Sequence, residues 1–324
     1  MHAQRNTTSH RNRPVLERDR ETTARRLLVA SARHSSDPDT ELDWTAPFED
    51  SKWYVAPELI SLYKTPLWER MSEEQRMELS RHERASITCS GIWFEQILMH
   101  LLLRHLDGFP CTSDHVRYAY TEIADECRHS MMFGRLVRKL ETPVYGAGPR
   151  DRAQGWLLKT LATSPAALAA ALLVEELLDW LERKTAEDER VQPLVRNVIR
   201  IHIIEEARHV RYAREELRRQ MRQATAAERA YVQFLTGQMA RVVARTLISP
   251  SVYNAVGLDP RTAVKEARRC PHRQDVLHSA MKRLITFFEE VGVIHNPAAR
   301  SLWYSSGLMP RPGARVKVGS SAAL

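Results

Sequence analysis

The sequence predicts an all-α protein with a four-helix bundle at its core. The composition favours helix, since the 324 residues include only 12 glycines and 7 phenylalanines and are rich in Ala, Leu, Arg and Glu. Long stretches of helical periodicity are bounded by capping and proline signals. Two of these stretches also repeat one residue pattern. The chain is long enough for one large core, and no shift in composition divides it.

The N-terminal 70 residues fall into two parts. Residues 1–40 are rich in Arg, Thr, Ser and His, with few large apolar side chains, and we expect a disordered tail with at most one short helix. Residues 41–70 contain several aromatic residues and prolines, which predicts an irregular arm packed on the body. We expect a single domain over residues 41–310 and a disordered tail over residues 311–324.

Start and stop signals define the helices that follow. Ser72 and Gln75 have the spacing of a capping box, and Ser164 followed by Pro165 is typical of a helix N-terminus. These signals and the periodicity predict long helices at residues 72–106, 113–141, 164–184, 193–222 and 225–247. Shorter helices are predicted to begin near Pro260 and Pro297 and to span 274–290, and a loop is predicted around 143–152.

One motif carries candidate metal ligands. His202, Glu206 and His209 share a helix face, because spacings of four and three return to the same side. Taken alone, such a face is also typical of a solvated helix surface. However, residues 205–209 repeat the acid-Glu-x-Arg-His pattern of residues 125–129 at an offset of 80 (206 − 126). The repeat favours a metal site with internal symmetry.

The same offset extends to the preceding helices. At this offset the residue that corresponds to Glu95 is Glu175, and not the neighbouring Glu176. A bundle with one carboxylate from each of two helices and a Glu-x-x-His pair from each of the others encloses two metal ions. Glu95 has apolar neighbours and could lie at a boundary, but burial of an isolated carboxylate is costly unless it is coordinated. The predicted symmetric ligands are Glu95, Glu126, His129, Glu175, Glu206 and His209.

His202 breaks the symmetry, because its partner at the offset of 80 is Glu122. His202 is either a seventh ligand or a buried histidine that supports the site. Glu122 is correspondingly an outer or an alternative carboxylate on the other side.

The complete pattern, Glu95, Glu126-x-x-His129, Glu175 and His202-x-x-x-Glu206-x-x-His209, resembles a known family. Its motifs resemble the di-iron carboxylate proteins of the ferritin-like superfamily. With the additional histidine it is similar to the di-iron arylamine N-oxygenases, the family of p-aminobenzoate N-oxygenase, over residues 53–305. The resemblance implies a ferritin-like bundle with His202 as a ligand. It also implies O2-dependent conversion of a primary arylamine through hydroxylamine and nitroso stages toward a nitro product.

The resemblance also indicates which residues surround the metal ligands and which cofactors to expect. Asp125, Arg128, Glu205 and Arg208 are expected to surround the ligands and orient the histidines. Carboxylates with imidazoles suit two iron ions, with manganese as a possible substitute. O2 is the expected co-substrate, and no catalytic residues are needed beyond the metal centre.

No flavin or nicotinamide fingerprint is present, so electrons must come from a separate reductase or electron-transfer protein. The alternatives are C–H hydroxylation or desaturation at the same centre, or a non-catalytic iron-binding bundle.

The net charge and the cysteine content indicate which partners and which cellular compartment to expect. The net charge is +8 and the pI about 9.5, but basic residues alternate with 40 acids and no aromatic-basic module appears, so nucleic-acid binding is not expected. Four cysteines without CxxC spacing favour the cytoplasm, and the apolar run at 27–30 is too short to span a membrane. Family analogy makes a homodimer possible. Arg84, Arg117 and Arg300 are each candidates to meet a substrate carboxylate.

Overall fold

The computed structural model describes residues 13–313, with side chains from residue 19 onward, and the predicted all-α fold is confirmed there. Residues 1–12 of the predicted tail at 1–40 and residues 314–324 of the predicted tail at 311–324 lie outside the described residues. An isolated bridge between Trp53 and Val191 is the β pairing found in the described range. The helices of ten or more residues are α1 Arg13–Arg33, α2 Glu73–His105, α3 Asp114–Lys139, α4 Pro149–Leu161, α5 Ser164–Glu187, α6 Pro193–Gln223, α7 Ala226–Thr246, α8 Pro260–Arg269, α9 Pro271–Val291 and α10 Pro297–Ser306.

The core is a bundle of α2, α3, α5 and α6. Helix α2 packs along α3 and α5 packs along α6, and the two pairs meet through α2 with α5 and α3 with α6. Helices α7, α9 and α10 extend the apolar core on one side of the bundle. The two pairs are the two copies of the sequence repeat, so their equivalent residues face one common interior.

Local signals explain where the bundle helices begin. Ser72 and Gln75 form both hydrogen bonds of a capping box at the start of α2, and Ser113 caps α3 by accepting from the Val116 amide. Helix α5 differs slightly from the prediction: Thr163 is its N-cap residue and Ser164 is its first helical residue. The Ser72 and Ser113 caps satisfy amide groups that have no partner within the helix, whereas the Thr163 side chain makes no capping hydrogen bond.

Two segments differ from the sequence-based expectation. Residues 13–33 form a 21-residue helix, longer than the short helix expected in a disordered tail. Helix α1 packs on α3 and α6, where Arg20 donates to both carboxylate oxygens of Glu216 at 3.0 and 2.6 Å. Helix α4 was also not predicted, since its first turn lies in the segment expected to be a loop.

The arm at residues 41–70 is irregular. It contains short helical turns at Pro57–Leu59 and Pro66–Arg70, and a further turn at Pro38–Glu41 leads into it. It is anchored to the α5–α6 connection, where the Trp53 amide donates to Arg190 O and the Gln192 amide to Trp53 O, both at 2.8 Å. Among the described helices, α2 is long and apolar enough to cross a membrane, but its apolar window is 67% buried inside the protein. This is also the property of a core helix.

Candidate metal centre

The structure brings all seven predicted ligands into one buried cluster between α2, α3, α5 and α6. Donor atoms from overlapping groups of these side chains lie within 4.8 Å of one another. Glu122 joins Glu126 and His209 in one of the groups, so it is itself a candidate ligand. No member of the cluster is more than 6% exposed, and its residues are Glu95, Glu122, Glu126, His129, Glu175, His202, Glu206 and His209.

The two motif histidines are oriented by acids from the opposite motif. His129 on α3 places Nε2 at 2.8 Å from Glu205 Oε2, and His209 on α6 places Nε2 at 3.2 Å from Asp125 Oδ2. In both rings Nδ1 faces the cluster, at 3.2 and 3.0 Å from Glu206 Oε1. The acid that precedes each motif glutamate thus crosses to the other helix, and each ring keeps one nitrogen free to bind a metal.

Two arginines and the N-terminal segment complete this outer layer. Arg128 forms an ion pair with Asp125, and Arg208 donates to the same carboxylate at 3.3 Å. The Ser36 amide donates to Glu205 Oε1 at 3.1 Å. The four outer residues predicted from the motif therefore surround the two histidines, and residues after α1 cover them.

His202 is oriented by a carboxylate that has no counterpart in the repeat. Its Nδ1 lies 2.7 Å from Glu182 Oε2, and its Nε2 faces the cluster, 3.6 Å from Glu206 Oε1 and 3.8 Å from Glu95 Oε1. Arg84 lies 3.6 Å from the other oxygen of Glu182. His202 therefore has the environment of the two motif histidines: one nitrogen on a carboxylate backed by an arginine and one directed inward.

Comparison with known proteins agrees with this arrangement. A family model described as P-aminobenzoate N-oxygenase AurF matches residues 17–292. The chain belongs to this family.

Similar proteins share most of the chain's length. The uncharacterized proteins Rv0885 of Mycobacterium tuberculosis and Mb0909 of Mycobacterium bovis are each 27% identical over 290 residues, which is 86% of this chain and 84% of the relative. A mutant of an R2-like ligand-binding oxidase with an aerobically reconstituted Mn/Fe cofactor aligns at 13% identity, with a TM-score of 0.41, over 88% of this chain and 91% of its own.

The electrostatics of the cluster favour cations. Burial raises the pKa of Glu122 to about 8, and burial together with Glu126 raises the pKa of Glu95 to about 8. Burial pushes the pKa of Glu206 upward, but His209 and His129 hold it well below its usual range. Burial lowers the pKa of His209, but Glu206 and other carboxylates more than offset this and raise it well above normal.

The donor set fits two divalent metal ions. Glu95 Oε1 and Glu206 Oε2 are buried and accept no hydrogen bond within the described part of the chain, and the buried Glu126 Oε1 has the ring nitrogen His209 Nδ1 at 3.1 Å. Unpaired carboxylate oxygens are costly to bury, and metal coordination removes this cost. The four symmetric glutamates, when ionised, carry four negative charges, which two divalent ions neutralise. Neutral imidazoles complete a set of ligands typical of iron and manganese.

The choice between adjacent glutamates agrees with the repeat. Glu175 is 6% exposed inside the cluster, whereas Glu176 pairs with Arg214 at 2.5 Å on the outer side of the bundle. Burial and the neighbouring Glu206 raise the pKa of Glu175 well above its usual range. Ser130, which the sequence analysis did not select, donates to Glu95 Oε2 at 2.7 Å.

Two cavities border the centre from different sides. One touches Glu175 and has otherwise apolar walls, from Phe94, Ile97, Leu98, Leu101, Leu158, Ala170, Ala171, Val174 and Met239. The other lies beyond His202 and contains Glu182 and Arg84 among mainly apolar side chains, including Val55, Ile60, Ile87, Leu181 and Leu277. The first cavity is thus almost entirely apolar, while the second offers both apolar surface and charge.

Sequence reasoning missed Glu182 and did not single out Arg84. Their partners at the offset of 80 are Leu102 and Ser164, so the repeat contains no signal for either residue. Glu182 lies seven residues after Glu175 and hence on the same face of its helix, which was the one available signal.

Proposed function

We propose that the protein is an O2-dependent di-iron oxygenase that adds oxygen to the nitrogen of a primary arylamine, through hydroxylamine and nitroso stages toward a nitro product. The observation that carries the proposal is the buried cluster with His202 beside the six symmetric ligands, in a member of the p-aminobenzoate N-oxygenase AurF family. When bound, the two iron ions supply the activation of O2.

The protein's own residues hold and orient this centre. Asp125, Glu205 and Glu182 accept from the outer ring nitrogens of the three histidines, which fixes the tautomer that presents a lone pair to the metal. The buried bundle excludes bulk water from the reacting amine. Electrons are expected from a separate protein.

The cavity beyond His202 is the best candidate for the substrate pocket. Arg84 is only 2% exposed, and only its Nε donates a hydrogen bond of normal length, to Thr88 Oγ1 at 3.0 Å. By contrast, Arg117 is exposed and Arg300 pairs with Glu289 at 2.7 Å. A buried guanidinium among apolar side chains favours an aromatic substrate that carries an anionic group. We therefore expect Arg84 to bind a substrate carboxylate.

The decisive experiment uses protein reconstituted with ferrous iron, a chemical reductant and ¹⁸O2. With p-aminobenzoate as substrate, we expect mass spectrometry to detect ¹⁸O bound to nitrogen. Oxygen on a ring or alkyl carbon, or loss of two hydrogens, would instead identify the hydroxylase or desaturase alternative. Two bound irons without O2 consumption would identify a non-catalytic iron-binding bundle.

Arg84→Met tests the pocket separately. We expect it to raise KM for p-aminobenzoate by about 10- to 100-fold, because a charge-assisted hydrogen bond is worth about 1.5–3 kcal/mol. KM for p-toluidine, an aromatic amine of similar size without the carboxylate, should change little. A similar rise for both amines would mean that Arg84 shapes the pocket and does not bind the carboxylate.

A further inference from the structure

The cationic residues of α8 differ from the other clusters of arginines on the surface. Arg261, Lys265, Arg268 and Arg269 recur at spacings of four, three and one, and together they border one surface hollow. All four are exposed, and none forms an ion pair within the described residues. We call these four residues the α8 basic face.

The exposed arginines of α6 give a contrast, because several of them pair with acids of the same chain. On α6, Arg211 pairs with Glu215, Arg214 with Glu176, and Arg218 with Glu290. The acids nearest to the α8 basic face are committed otherwise, because Asp259 caps the helix by accepting from the Thr262 amide and Glu266 accepts from the Leu67 amide. The α8 basic face therefore forms no ion pair within the described residues, and the Asp259 carboxylate beside Arg261 offsets only part of its charge.

Helix α8 presents this face rigidly. Its opposite side buries Ala263 and Ala267 against the 3₁₀ helix Pro250–Val256, and Glu266 links it to the arm. Because the helix backbone is held in place, an acidic partner can bind this face without ordering a backbone segment.

The position of α8 connects this face to the metal centre. Arg273, four residues after Arg269, lines the same cavity as Arg84 and Glu182. Glu182 in turn hydrogen-bonds the candidate ligand His202. Helix α8 packs on α9, so the α8 basic face is joined to the helix that contributes Arg273 to this cavity.

We propose that the α8 basic face is the docking site for an acidic electron-donor protein, of the small iron–sulfur or flavin class. This inference rests on the proposed function, which requires such a donor. In the first oxidation, R–NH2, O2, two electrons and two protons give R–NHOH and water, and the donor supplies both electrons. A ten-residue helix is about 15 Å long, which suits the small interface of a transient redox encounter.

Other anionic partners fit this face less well. A membrane-surface helix needs large apolar side chains beside its cations, and the exposed large apolar residues of the described chain lie outside α8. Helix α8 also contains no aromatic residue on which a nucleic-acid base could stack.

The test compares two charge-reversed proteins. The first carries Arg261→Glu, Lys265→Glu and Arg268→Glu. The control carries Arg117→Glu, Arg150→Glu and Arg222→Glu, at exposed positions on other helices. Each lowers the net charge of +8 by six, so general charge effects are matched. Circular dichroism establishes folding, and Arg261→Gln, Lys265→Gln, Arg268→Gln is used if the reversed α8 does not fold.

The probe is an acidic [2Fe–2S] ferredoxin, whose affinity is measured by calorimetry at low and high salt. We expect salt-sensitive binding to the wild type, a loss of tenfold or more in the α8 variant, and little change in the control. Arylamine turnover driven by dithionite and a small mediator should be equal in all three, and its absence would contradict the proposed function but not the docking site. Equal ferredoxin affinity in the two variants, or no binding to the wild type, would overturn the docking site. So would a preference of the α8 basic face for duplex DNA or anionic vesicles.

Discussion

At the residue scale, three histidine–carboxylate–arginine chains surround the candidate metal centre. In two of them the histidine lies on one of the helices α3 and α6 and its carboxylate lies on the other. The third chain runs from His202 through Glu182 to Arg84. Burial pushes the pKa of Glu182 upward, but His202 and Arg84 hold it below its usual value. Glu182 therefore remains an anion that fixes the His202 ring.

Glu182→Gln is expected to weaken iron binding at the site of His202 by about 10- to 100-fold, the usual effect of losing a carboxylate that orients a ligand histidine. Gln keeps the volume but can donate to Nδ1 as well as accept, so the ring tautomer is no longer fixed. Titration with ferrous iron under anaerobic conditions measures the change. Glu176→Gln, on the outer side of the same helix, is the control, and equal affinities in the two variants would mean that Glu182 has no such role.

Loss of a central ligand should have a larger effect. Glu206→Ala and His129→Ala are each expected to remove iron and activity while the helical content largely survives, because the apolar bundle does not depend on either side chain. Metal analysis and circular dichroism provide the two measurements. Retention of two irons per chain in both variants would refute the ligand assignment.

The residues differ in how far their positions follow from the sequence. Glu175 was selected over Glu176 because an internal copy fixes its register, and the structure places it in the cluster. Glu182 and Arg84 have no such copy, and their role depends on the distance between α2, α5 and α6, which no local pattern encodes. Burial then separates Arg84 from the exposed Arg117, and an ion pair separates it from Arg300.

At the element scale, α1 is held on the bundle mainly by polar contacts. Arg20 and Arg219 both pair with Glu216, and Thr23 donates to Glu215 at 2.7 Å. Ala24 and Leu27 of α1 also belong to a buried apolar cluster with Leu98, Leu102, Tyr118 and Tyr212. The Arg20–Glu216 pair links residues 196 positions apart. A polar helix of this kind has the composition of a disordered tail, and the residue that binds it is distant in the sequence. The sequence alone therefore did not predict this helix.

Glu216→Gln should loosen α1 without unfolding the bundle. The Glu216 side chain is fully buried, and breaking a buried ion pair costs about 3–5 kcal/mol. We expect faster amide hydrogen exchange in residues 19–33, measured by mass spectrometry. Glu290→Gln, which breaks the exposed pair with Arg218, should cost less than about 1 kcal/mol and leave this exchange unchanged. Equal exchange in the two variants would show that the ion pair does not hold α1.

Acid should act on the same contact. Burial pushes the pKa of Glu216 upward, but Arg20 more than offsets it and holds the pKa at about 2. The unfolded value is about 4.3, so this contribution to stability is present above that pH and is lost as the pH falls toward 2. The difference in α1 exchange between the wild type and Glu216→Gln should therefore shrink over this range. A difference that persists at pH 2 would exclude the carboxylate as its source.

At the scale of the whole molecule, two nearly equivalent helix pairs build a centre whose two sides are unequal. The six symmetric ligands follow the repeat, whereas Arg84, Glu182 and His202 have Ser164, Leu102 and Glu122 as their counterparts. These three residues lie at or beside the cavity that contains charge. The departure from the repeat thus coincides with the proposed substrate pocket, and the repeat itself with the candidate metal ligands.

From the same arrangement we expect the stability of the fold to depend on bound metal. Four symmetric glutamates and Glu122 crowd the interior, and their repulsion is relieved by bound cations or by protons. A ligand present at about 100 times its Kd stabilises the folded state by about 2.7 kcal/mol, so two ions supply about 5 kcal/mol. For a domain of this size, chelation should lower Tm by about 8 °C while the helical content at 25 °C stays nearly constant. Calorimetry with and without chelator measures the shift, and Glu206→Ala should show no metal-dependent shift. A wild-type Tm that is unaffected by iron would mean that the buried carboxylates are stabilised by protons alone.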